Sequence, residues 1–264
     1  MIARWWQTLG RRREARAAAR RAIPDALWGA TLARLPFIAR RDAETLARLR
    51  RMASLFLDSK EFNGAQGFVV SDEIAVAVAV QACLPVLELG LDQYDAFVGI
   101  VMHADLVRAR REVMDEHGVV HEWHEELAGE AMDGGPLMLS WADVLPSTDD
   151  TQAALAYNVV IHEFAHVLDM GDGAPDGVPP LASTAERDAW IAVIDPAFDA
   201  FCAEVDSGRE TLLDPYGATD IGEFFAVATE TFFVSPKELR AEHPGIYGLL
   251  ARYFQQDPAS FAGR

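Results

Sequence analysis

Residues 159–170 read VVIHEFAHVLDM, an apolar run carrying His162, Glu163 and His166 at H-E-x-x-H spacing. No other stretch restricts the fold as much. On an α-helix each residue turns the chain by about 100°, so His162 and His166 stand one turn apart on one face, with Glu163 beside them. The flanking Val159, Val160, Ile161, Phe164, Ala165, Val167 and Leu168 require an apolar interior. Burying two imidazoles and a carboxylate there without partners costs roughly several kcal/mol in total. One shared ion removes the conflict. Neutral imidazole nitrogens suit zinc, which lowers the pKa of its bound water toward neutrality, and Glu163 is placed to take the proton rather than to ligate. A chance motif falls more often on a polar, solvated helix, and these flanks are neither.

Zinc needs a third protein ligand. A metzincin would continue with Gly at 169 and His at 172; the chain has Asp169 and Asp172, which excludes that class. A carboxylate on a second helix is the better source. GEFFAVATE supplies Glu223 and Glu230, seven residues apart and so on one face. From spacing alone either one ligates and the other supports. Asp169, on the face of His162 and His166, is a further supporting candidate.

The chain has 264 residues, half of them hydrophobic, enough for one sizeable core. Its charge of −18 hides an asymmetry. Residues 1–51 hold thirteen Arg against four acids, and the acids fall in the remainder. The acidic body excludes general nucleic-acid binding, because it repels phosphate. The basic N-terminal arm suits an acidic partner or membrane surface, or simply lies on the acidic body. It has no apolar h-region, so it is a poor secretory signal. No segment reads as a transmembrane helix; the apolar stretch from Ile74 to Leu91 is interrupted by Gln81, Pro85 and Glu88. Cys83 and Cys202 stand far apart, outside any C-x-x-C, which suits a reducing compartment.

Along the chain, residues 1–22 read as frayed or loosely helical. Leu46, Leu49, Met52, Leu55 and Phe56 follow helical spacing. DEIAVAVAVQACL fits a helix, though its alternating Ala and Val also suit a strand. AFVGIVMHAD and GPLMLSWADVL are β-rich, and 112–134 is hairpin-like or irregular. GPLMLSW is either an edge strand able to pair with a peptide or an ordinary internal one. A long helix capped by Ser147 or Thr148 is expected to run to Met170, with further helices at 184–205 and from Ile221. His121 and His124 in HEWHE read as a solvated acidic loop more readily than as a second metal site. With strands early and helices late, the expected class is α+β. Residues 1–41 form a basic N-terminal arm and 42–264 a single domain.

HEFAH followed by DPYGATDIGEFFAV resembles the Mlc titration factor A family of bacterial zinc peptidases and, more distantly, the catalytic domain of anthrax lethal factor. QGF (66–68), CLPVLELGL (83–91) and GPLMLSW (135–141) add to the resemblance, which covers roughly residues 45–258. The Arg-rich arm does not look like the family, and Val227 stands where the toxin carries another acid. The resemblance implies a zincin-like, gluzincin-type fold with an H-E-x-x-H active-site helix and a small sheet. It implies one Zn2+ per chain, held by His162, His166 and Glu223, with Tyr216, seven residues before Glu223, facing the metal. A phenol there suits a donor to the oxyanion. It also implies a cytoplasmic, aminopeptidase-like enzyme acting on peptide substrates, and a namesake that binds the Mlc transcriptional repressor and so affects control of glucose uptake. The expectation is therefore a zinc metallopeptidase with Glu163 and Tyr216 catalytic. The rival is a regulatory binding protein that sequesters a transcription factor, with zinc structural or weakly catalytic.

Overall fold

The computed structural model describes residues 17–105, 107–114, 120–127, 129–131, 135–144, 157–173 and 175–261; within 107–114 and 120–127, and at residue 130, it describes the backbone. The expected caps Ser147 and Thr148, most of the frayed segment, and the side chains of His121 and His124 lie outside the described residues.

After a helical stretch at 17–20, three helices follow: α1 (Asp25–Arg34), α2 (Pro36–Ala39) and α3 (Ala43–Ser59). Asp42 caps α3 by accepting from Thr45 N, and the helix buries Leu49, Ala53 and Phe56. Ile23, Leu35 and Ile38 are also in the core, so the chain from Ile23 onward packs with the body. Two basic side chains of this region lie on acidic neighbours: Arg20 meets Asp58 at 2.7 Å and Arg34 meets Glu73 at 2.5 Å.

Strand β1 (Glu61–Gly64) precedes α4 (Asp72–Cys83). The ambiguous segment is thus helical. Ser71 accepts from Ile74 N, and Asp72 and Glu73 complement the helix N-terminus. Every residue from Val76 to Cys83 is buried, so periodicity alone has no polar face to reveal the helix. Next come β2 (Gly99–His103), the antiparallel pair β3 (Val107–Met114) and β4 (Val120–Leu127), then β5 (Gly129–Ala131) and β6 (Leu137–Ser140). The main sheet runs in the order β1-β2-β6-β5, the first three parallel and β5 antiparallel. Parallel strands need cover, and Ile100, Met102, Leu137 and Leu139 are buried. For GPLMLSW the structure shortens the β-rich run and selects the internal of the two readings left open. Its strand stops at Ser140, with Trp141–Val144 forming a short helix, α5, and β6 is internal because β5 takes the edge.

The H-E-x-x-H segment lies in α6 (Val159–Asp169). The expected long helix from Ser147 does not exist as one element. Asn158 is extended (φ −150°, ψ 91°), and its side chain accepts from Ile161 N, which caps α6 just before the apolar run. Phe164 anchors α6 in an aromatic cluster, 4.9 Å from Tyr94 and 5.7 Å from Phe56 between ring centres. Then follow α7 (Thr184–Asp206), α8 (Ile221–Val234), α9 (Pro236–Glu242) and α10 (Pro244–Phe254). Helix α6 packs on α8, α4, β5 and β6, so the motif sits between the sheet and the C-terminal helices. Among the described residues no helix is long and apolar enough to cross a membrane.

Candidate metal centre

Helix α8 begins where Asp220 accepts from Glu223 N at 2.9 Å. This cap sets Glu223 in the first turn, where the helix dipole favours an anion. Gly222 allows α8 to lie close to α6: a Cβ there would come within 3.3 Å of Asp169 Oδ2. Glu223 is thereby brought onto the face of His162 and His166.

The three side chains converge. Nε2 of His162 lies 3.1 Å from Nε2 of His166. Oε2 of Glu223 is 3.0 Å from the first nitrogen and 3.4 Å from the second. Zinc–nitrogen bonds of about 2.0–2.1 Å at tetrahedral angles put neighbouring ligand atoms about 3.3 Å apart, so these separations fit one small ion. The protonation pattern fits too. Nδ1 of His162 lies 2.6 Å from Oε1 of Glu230. An ionised carboxylate only accepts, so Nδ1 carries a proton, and Nε2 is the nitrogen left to offer a lone pair to an ion beside Glu223. Oε2 of Glu223 is buried and without a geometrically sound hydrogen bond, although it lies close to both nitrogens. A positive charge at this point, whether a proton on Nε2 or a metal ion, is what lets the nitrogen and the carboxylate oxygen sit 3.0 Å apart.

Electrostatics point the same way. Burial works against charge on His162, yet Glu230, Glu223 and Glu163 outweigh it and raise its pKa well above the usual imidazole value. Burial likewise opposes ionised Glu223, but His162 and His166 hold its carboxyl down to about 2. The pocket therefore demands positive charge at the point where the three side chains meet.

Glu163 is 5% exposed and does not join this cluster. It lies against the edge strand, where the backbone of Ala131 hydrogen-bonds to it. A Cβ on Gly129 would fall 2.5 Å from both Cγ and Oε1 of Glu163, so the carboxylate occupies the space a side chain would fill. Burial pushes its pKa up, against the pull of His162 and His166, which makes it a stronger base.

Tyr216 sits on a 3-10 turn, Pro215–Ala218, whose Asp214 accepts from Tyr216 N. Its ring centre is 6.3 Å from that of His162, and the residue is 46% exposed, so it is not a core tyrosine. Glu230 is the carboxylate that supports His162. Asp169 turns elsewhere: its Oδ2 accepts from Gly177 N at 3.0 Å and ties down the loop after α6. Three residues at the site, Gly129, Asn158 and Gln81, do not announce themselves in the sequence as parts of it. Gly129 leaves no trace, since close approach across a strand is a tertiary fact. Gln81 does leave one, as a lone carboxamide in an apolar helix.

Comparison with known families decides the kinship: residues 8–255 match the profile described as Glucose-regulated metallo-peptidase M90. The chain belongs to the M90 metallopeptidase family. The match begins well upstream of residue 45, inside the Arg-rich arm. Relatives of this chain include Mlc titration factor A of Enterobacter sp., 32% identical over 239 residues, covering 89% of this chain and 88% of that protein. Mlc titration factor A of Cronobacter sakazakii is 33% identical over 233 residues, covering 88% and 86%. The Synechocystis sp. protein slr2042 is 37% identical over 233 residues, covering 88% and 84%. M90 membership implies a metal, and two imidazole nitrogens with one carboxylate oxygen form a zinc-type donor set.

Proposed function

We propose that the chain is a zinc-dependent, aminopeptidase-like peptidase of zincin type, whose metallopeptidase domain takes in, besides the expected residues 42–264, the segment from Ile23 that packs in the same core. His162, His166 and Glu223 hold one Zn2+ per chain. The observation that carries this reading is the convergence of those three ligand atoms, with Glu163 of the same helix held against the edge strand. When bound, the zinc supplies Lewis acidity for the water and for the scissile carbonyl. Glu163 takes the proton from the attacking water and returns it to the leaving amine. Tyr216 donates its phenolic hydrogen to the developing oxyanion. Among the described strands none pairs with the outer side of β5, and an extended peptide adding there would lie alongside Glu163. The reading places the enzyme in the cytoplasm. The name Mlc titration factor A, borne by relatives, supports a repressor protein as a partner, and such binding is compatible with retained chemistry.

Two variants test the roles. Tyr216→Phe is expected to lower kcat by about 10²-fold, the size of one oxyanion donor, with KM, zinc content and Tm nearly unchanged. A tyrosine with a merely structural role would give the reverse, a lower Tm with kcat intact. Gly129→Ala is expected to displace Glu163, lowering kcat by about 10²-fold on an aminoacyl fluorogenic substrate while zinc stays bound. Full activity in Gly129→Ala would show that Glu163 does not work from its place against β5.

A further inference from the structure

Helix α4 is apolar and buried along its second half, and Gln81 sits within it at 0% exposure. A carboxamide in such a place has to find partners. Its Nε2 donates to Ala77 O at 3.0 Å, which turns Oε1 toward Asn158. Asn158 Nδ2 donates to that oxygen at 2.7 Å. Asn158, also at 0% exposure, uses its own Oδ1 to accept from Ile161 N at 3.0 Å. With both ends of its carboxamide committed, Asn158 is held in one pose, and its backbone N–H donates to Oε2 of Glu230. The other oxygen of Glu230 accepts from Nδ1 of His162 at 2.6 Å.

The direction of every bond in this chain is forced. Each carboxamide has one donor and one acceptor end in use, and the carboxylate only accepts. The helix itself has no need of the carboxamide, because an apolar residue of similar length would fill the same space. We infer that Gln81 is a positioning residue for the metal centre, which acts through Asn158 and Glu230 to fix the tautomer and aim of His162. The inference rests on the zinc site proposed above. Partners of a ligating histidine typically contribute 10–100-fold in metal affinity. Gln81 acts two links further out, so its expected share is the lower end, about 10-fold.

The test compares the zinc dissociation constant of full-length wild type, Gln81→Met, Asn158→Ser and Val78→Ala by competition with a chromophoric chelator, with Tm of each metal-free protein. Gln81→Met keeps the volume and removes the carboxamide. Asn158→Ser keeps a helix-capping oxygen and removes the link to Gln81, and it gives the reading should Gln81→Met not fold. Val78→Ala loosens the same helix without touching the bonded chain. The expected result is one zinc in wild type, weaker binding by about 10-fold in Gln81→Met and Asn158→Ser, and unchanged affinity in a less stable Val78→Ala. Wild-type affinity in both relay variants overturns the inference, as does equal weakening in Val78→Ala. A wild type that binds no zinc overturns the zinc site itself, a result distinct from either.

Discussion

Glu163→Gln is expected to retain one zinc per chain and to lose at least about 10²-fold in kcat, the lower bound for a positioned general base. The amide keeps the shape of the side chain, so its place against Gly129 and Ala131 survives. The carboxylate's proton affinity is what disappears. Glu163 stands outside the cluster of His162, His166 and Glu223, so stoichiometry should not change. Zinc analysis and turnover on the same preparation read both halves. Near-normal turnover would remove Glu163 from the chemistry, and lost zinc would make it a ligand.

Glu223→Ala is expected to strip most of the zinc and with it all measurable turnover. Among the described residues, its Oε2 is the one carboxylate oxygen placed within 3.4 Å of both Nε2 atoms. Glu230→Ala has a smaller and different consequence. Its carboxylate reaches Nδ1, the far side of the His162 ring, so its removal frees the imidazole without deleting a ligand. Zinc should still bind, with affinity lower by about 10–100-fold. Equilibrium dialysis against buffered free zinc separates the two. Stoichiometric zinc in Glu223→Ala, with none in Glu230→Ala, would exchange their roles.

Much of the centre is legible in the residues alone. The i, i+4 pair in an apolar run defines α6 because helical geometry by itself aligns His162 and His166, and both candidate carboxylates of α8 do reach His162. Choosing between them is a matter of which side of the ring each approaches, and spacing along one helix does not encode that. The start of α6 is harder to place. Ser147 and Thr148 are good caps by composition, whereas Asn158 wins by bonding Ile161 N, Gln81 and Glu230 at once. The order of the sheet is hidden for a related reason. Strand pairing is non-local, and nothing within GPLMLSW says that the short strand Gly129–Ala131 covers its flank. Gln81 is the instructive residue. In the sequence it interrupts an apolar stretch, but a polar group that cannot reach water is a sign of a bonded network inside.

A crystal of the zinc-loaded protein, with anomalous data collected on both sides of the zinc absorption edge, tests the central claim most directly. The account predicts a single zinc peak bounded by Nε2 of His162, Nε2 of His166 and a carboxylate oxygen of Glu223, each at about 2.0–2.2 Å, with Glu163 near the peak but not bonded to it. A peak ligated by Glu230 or Glu163 in place of Glu223, or zinc bound only elsewhere on the chain, would contradict it.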